Sequence, residues 1–160
     1  MNDRAELVEK RLQRIEDERA ILQNIYTYCV AFDQRRQEDW LDCFTKDAIL
    51  AYEPSATVAE TRGRIRLEGH KQISELFATS EQVVRLTSPK HVTVNAIVRV
   101  TGDEASAESI IVLFGDAGGI PELISTGRYL DKLRRCSDGR WRFCERIGHV
   151  DTLKAPPKAS

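Results

Sequence analysis

One change of period constrains this chain more than any other feature. From Ala5 to about Phe32 there is neither Gly nor Pro, and apolar residues recur at Leu7, Ile15, Leu22, Ile25, Tyr26, Cys29 and Val30. That is a helical stripe, best defined after Ala20. Beyond Ser80 the apolar residues alternate instead: HVTVNAIVRV, ASAESIIVLF, ELISTGRYLDKLRR and WRFCERIGHV read as strands, with Gly102-Asp103 and Asp138-Gly139 at turns. Between these halves lie a short helix over Glu38–Phe44, a strand over Ala48–Tyr52, a short strand in TRGRIRLEG and a helix over His70–Thr79. Helices followed by long antiparallel strands make an α+β plan. A strongly twisted sheet should curl around the long helix and leave an apolar hollow. The first half of the long helix is mostly charge, so it reads as solvated or facing another copy.

The 160 residues suit one domain, expected over 1–153, with a fraying tail over 154–160. Twenty-four Lys and Arg against 25 Asp and Glu leave a net charge of -1, which argues against a nucleic-acid partner. No apolar run is long enough to cross a bilayer, and MNDRAELVEK is too charged for a secretory signal. Cys29, Cys43, Cys136 and Cys144 show neither zinc spacing nor a paired framework, so a reduced, cytoplasmic protein is expected.

Among residues able to do chemistry, Asp33 stands out. It follows the apolar stripe, and it ends a helix, where the dipole is unfavourable to negative charge. Burial there suits a general base; the alternative is a turn residue paired with Arg35 or Arg36. His91 opens a strand after Ser88-Pro89-Lys90, from which a side chain can face a cavity mouth, or simply the surface. His70, His91 and His149 lack metal-binding spacing. Six arginines crowd the last two strands, most of them expected on a solvent face. In a regular strand, inward Trp141 and Phe143 take Glu145 inward and leave Arg146 outward; a bulge reverses that parity.

Taken together, IYTYCVAFDQRRQEDWLDCFTKDAIL, SPKHVTVNAIVRVTGDEASAES and GRYLDKLRRCSDGRWRFCER resemble the SnoaL-like branch of the nuclear-transport-factor-two-like superfamily, over about Ile15 to Asp151. The resemblance implies a cone-shaped fold, helices packed in a curved, mostly antiparallel sheet. It is closest to a group that includes a hexachlorocyclohexane dehydrochlorinase, scytalone dehydratase and bile-acid dehydratase. The implied activity is a lyase or isomerase of dehydratase type, without metal or organic cofactor, acting on a hydrophobic cyclic compound such as a steroid or polyketide. The catalytic residues carried over are Asp33 and His91, in an HxxxN context with Asn95, and Tyr26 as a donor. The substrate-binding residues are Tyr28, which stands where the dehydrochlorinase has a lysine, with Trp40, Phe44, Phe77, Tyr129 and Arg146; Val30 and Val112 are further lining candidates. A homodimer or homotrimer through the sheet is the implied assembly, with no membrane partner. The same fold also serves as a non-catalytic binding or assembly module, as in dioxygenase small subunits. A hydrolase reading, with Asp33 activating water, requires an Arg and a second Asp beside it.

Overall fold

The computed structural model describes residues 2–60, 63–116 and 119–153. The tail over 154–160, the start of the TRGRIRLEG segment and the middle of GDAGG lie outside them. A long helix, α1 (Asn2–Asp33), is followed by α2 (Gln37–Leu41), β1 (Phe44–Pro54), α3 (Ala56–Ala59), β2 (Ile65–Glu68), α4 (Gly69–Thr79) and α5 (Glu81–Thr87). Four long strands complete the chain: β3 (Lys90–Thr101), β4 (Glu104–Asp116), β5 (Pro121–Arg135) and β6 (Trp141–Leu153). They form one curved sheet in the order β2-β1-β6-β5-β4-β3. Its pairings are antiparallel except β1 with β6, so the sheet is mixed. No described helix is long and apolar enough to cross a membrane.

Three element boundaries depart from expectation. Phe44 starts β1 rather than ending α2, because it pairs in register with Phe143 and its backbone is drawn into the sheet. Residues 81–87 form α5, a helix that the change of period beyond Ser80 did not announce. The short α3, capped by the Ser55 hydroxyl accepting from Val58 N–H, carries too few apolar residues to give a periodic signal.

The core forms where the second half of α1 lies in the concavity of the sheet. Ile21, Ile25, Tyr28 and Cys29 are buried against Trp40, Phe44, Leu50, Ile73, Phe77, Leu133 and Phe143. The earlier turns of α1 carry exposed Leu7, Val8, Leu12 and Ile15, so that half projects away from the body. Along β3 the burial alternates: His91, Thr93, Val98 and Val100 turn toward the helix while Val92, Val94 and Ile97 turn outward. Asn95, at a positive φ of 54°, sits where the β3–β4 register slips between Val94 and Ile97. The asparagine of the HxxxN pattern is therefore a bulge residue, a role its tolerance of left-handed backbone suits.

A second bulge decides what fills the cone. Lys132 pairs with Glu145 and Leu133 with Phe143, which leaves Cys144 unmatched in β6. One extra residue reverses the strand's alternation from that point. Arg146 accordingly turns inward and is fully buried, correcting the outward orientation a regular strand would give it.

Candidate functional site

The end of α1 is built to hold Asp33 still. Arg35 takes a left-handed conformation (φ 57°), and Arg36 N–H donates to Ala31 O at 2.8 Å, closing the last turn. Left-handed backbone costs a non-glycine residue about 1–2 kcal/mol. The Arg35 side chain offsets this by donating to Phe77 O (2.6 Å) and Ser80 Oγ (2.9 Å) while lying 3.8 Å over the Phe77 ring. Arg36 pairs with Asp39. Neither arginine is left for Asp33, and the carboxylate turns to β3 instead.

There it grips His91 twice. Asp33 Oδ2 accepts from the His91 backbone N–H at 2.8 Å, and Oδ1 lies 2.5 Å from the ring Nδ1. The imidazole also meets the Phe32 ring edge-on at 5.3 Å. The two side chains are 15% and 11% exposed, so the pair is shielded yet reachable. An ionised carboxylate only accepts, so Nδ1 carries the shared proton and a neutral ring keeps its lone pair on Nε2. Among the described residues, nothing hydrogen-bonds to Nε2.

One turn deeper, Cys29 Sγ lies 3.1 Å from Thr93 Oγ1, and burial pushes the pKa of this thiol up. Beyond it sits Arg146, its guanidinium 3.7 Å from the Tyr129 ring, 4.2 Å from Tyr28 and 4.4 Å from Phe143. Its acidic neighbour is Asp131 of β5, directly opposite in register. Tyr28 and Tyr52 bring their hydroxyls within 3.1 Å of each other. Gly148 makes this crowding feasible: a Cβ there would stand 2.9 Å from Tyr52 Cδ1 and 3.1 Å from Tyr129 Cε1.

The remaining candidates separate into two groups. Tyr28 and Tyr129 stack on Arg146, whereas Trp40, Phe44 and Phe77 pack on one another as core, with ring centroids 5.2–5.3 Å apart for the Trp40 pairs. The interior expected as an apolar hollow thus holds packed rings around a charged pair. Tyr26 is 45% exposed and Val30 is 43% exposed. Both correct the sequence expectation: the buried stripe centres on Ile25, Tyr28, Cys29 and Phe32, and Tyr26 follows Ile25 by a rotation of about 100°. Asp33 lies near the edge of the same stripe and reaches inward because β3 flanks that edge. Two surface grooves lie elsewhere, one by Arg36–Asp39 and Leu41, the other between Thr45–Asp47 and Arg134–Asp138.

Asp131 was not singled out from the sequence. The available signal is the period-two run Tyr129, Asp131, Leu133, which places a carboxylate on a face otherwise marked for the core.

A family model for the SnoaL-like domain matches residues 13–147. The fold is that of an NTF2-like protein with a cystatin-like fold from Novosphingobium aromaticivorans, at TM-score 0.78 and 23% identity over 89% of this chain and 87% of that one. Further proteins of that organism also align, two of them with informative descriptions. One is described as a beta subunit of an aromatic-ring-hydroxylating dioxygenase (TM-score 0.73, 20% identity, 92% and 96% covered). The other is a candidate scytalone dehydratase (TM-score 0.70, 17% identity, 92% and 97% covered). No curated protein matches the sequence significantly.

Proposed function

We propose that this chain, which belongs to the SnoaL-like domain family, is a lyase or isomerase that removes a proton from carbon in a hydrophobic cyclic substrate, with Asp33 and His91 as its catalytic dyad. The observation that carries the reading is the double engagement of Asp33 with the ring and the backbone of His91, which leaves Nε2 as the open base. In a dehydration, Nε2 takes the proton next to an activating carbonyl. The C–H electron pair forms the new C=C bond, the C–O bond on the neighbouring carbon breaks, and the leaving hydroxide takes the proton back from the imidazolium to depart as water. Asp33 fixes the tautomer and balances the transient charge. Tyr28 replaces exposed Tyr26 as the phenol on the inner side, and Arg146 supplies positive charge for oxygen. An isomerase would run the first step alike and return the proton to another carbon. Neither route routes electrons through a metal or organic group.

Hydrolysis is less well supported. An Arg and a second Asp are present as Arg146 and Asp131, but both oxygens of Asp33 are taken by His91 and not turned to a water. A second reading, a non-catalytic assembly module, is favoured by one observation. The outward face of β3 and β4 exposes Val92, Val94, Ile97, Ile110 and Phe114, an apolar strip suited to another copy or a partner chain.

Turnover of hydroxylated polycyclic ketones, followed by loss of water from the product mass, tests the dyad. Asp33→Asn and His91→Ala should each lower the rate by roughly 100-fold or more, with the folded structure kept. Full activity in both variants would eliminate the mechanism.

A further inference from the structure

The proposed proton transfer uses Arg146 only for its positive charge and leaves the buried polar groups beside it without a role. Arg146 is 0% exposed and Asp131 2% exposed, and Arg146 Nη1 lies 3.6 Å from Asp131 Oδ2. That is ion-pair range but beyond a hydrogen bond. Nε, Nη1 and Nη2 of Arg146, both oxygens of Asp131 and Oγ of Ser109 have no hydrogen-bond partner among the described residues. Ser109 pairs in register with Tyr129, one row along the sheet from Asp131. Buried groups with this much unmet capacity are costly, and native interiors fill such places with water or ligand.

The chemistry of the two groups describes the partner they lack. Guanidinium offers donors only, and ionised carboxylate offers acceptors only. Their charges cancel, so nothing in the pair calls for a charged guest. A halide or carboxylate would satisfy Arg146 but meet the Asp131 charge head-on, and a ketone would leave Asp131 without a donor. A hydroxyl does both jobs, accepting from Arg146 and donating to Asp131. We propose that Arg146 and Asp131 form a station for a neutral hydroxyl group of the substrate, an alcohol, phenol or enol, and that Asp131 is the residue that makes this station refuse anions. The inference rests on the lyase reading for what the hydroxyl is part of, and it places that group deeper in the cone than the carbon facing His91.

The groups around the station leave Asp131 as its switchable member. Burial pushes the Asp131 acid up to about 6 against the pull of Arg146. Burial also raises Tyr28 and Cys29 of α1, Tyr52 of β1 and Tyr129 of β5, and takes Cys43 to about 12. None of these changes charge between pH 5 and 8.

Phenol and benzoate are suitable probes, since they share a ring and differ in charge at pH 8. Calorimetric titration uses the full chain carrying His91→Ala, so that the imidazole contributes nothing to either affinity. At pH 8 phenol should bind about ten-fold tighter than benzoate, because the Asp131 carboxylate repels the anion. Asp131→Asn should reverse that order, and Arg146→Met should abolish binding of both. Should Asp131→Asn fail to fold, the same reversal is expected with Asp131 intact at pH 5, where it is protonated and benzoate is still ionised. Benzoate binding as tightly as phenol at pH 8, an order unchanged by the substitution or by pH 5, or binding of neither probe overturns the station. These readouts involve no turnover. A chain that discriminates the probes as expected yet keeps its activity without His91 would refute the proton-transfer reading and leave the station standing.

Discussion

Two buried aspartates, Asp17 and Asp131, each face an arginine, and the two pairs are treated in opposite ways. Asp17 of α1 receives Arg135 Nη2 at 2.7 Å, Trp141 Nε1 at 3.1 Å and Gln13 Nε2 at 3.1 Å. Arg135 also lies 4.7 Å over the Trp141 ring and reaches Asp103. Each of these side chains is hydrogen-bonded, and the bond from Arg135 leads the effects that hold the Asp17 carboxyl below its usual pKa. Asp131 and Arg146 face each other without one hydrogen bond, and burial moves the Asp131 acid the other way. A satisfied buried pair ties α1 to the β5–β6 hairpin; an unsatisfied one keeps its hydrogen-bonding capacity for something else. The difference separates a closed network from a pair that still has hydrogen bonds to give.

The comparison breaks if the two carboxylates prove equally important to stability. Asp17→Asn should cost about 2–3 kcal/mol in chemical denaturation, since it removes the charge that Arg135 and the Trp141 indole were bonded to. Asp131→Asn should cost less, since the carboxylate it removes accepts no hydrogen bond and the loss is confined to the counter-charge of Arg146 at 3.6 Å. Equal losses would mean that the Asp131–Arg146 pair is ordinary scaffolding.

The pH dependence of the same two variants sharpens the contrast. The Asp17 acid is lowered by folding from its usual 3.8, so its contribution is present above that value and is lost as the pH falls through the lower, folded value. The advantage of wild type over Asp17→Asn should therefore vanish in acid. Asp131 is raised to about 6, so its charge opposes folding: the penalty is absent below about 4, grows from there to about 6 and is complete above. Asp131→Asn should gain on wild type from pH 4 to 7, as read from melting curves at each pH. The smallest effect is expected for Trp141→Phe, which removes one donor from Asp17 and should cost about 1 kcal/mol, also measurable by melting. No loss at all would show that Arg135 alone carries the network.

How much of this was legible in the chain varies with the distance over which each feature is determined. The uninterrupted helix and the long alternating strands follow from local periodicity, and those elements lie where the patterns put them. Asp33 and His91 were visible as chemical oddities at the end of one pattern and the start of another. Tyr26 was misplaced because a shared helical face is wider than the strip that is buried, and only packing shows which edge β3 covers. Asp17 was hidden among the charges of a helical half that reads as solvated, since its indole and guanidinium partners come from residues more than a hundred positions later.

Sequence alone therefore settled the order and kind of the main elements and the α+β plan, because each depends on neighbours within a few residues; that Asp33 and His91 meet was implied only by the family resemblance. Tertiary structure decided that Cys144 bulges, that Arg146 consequently points in rather than out, and that Asp131 awaits it there without a hydrogen bond. Those outcomes turn on the pairing of β5 with β6, and a one-residue slip in register is an energy difference between strands that no single segment records.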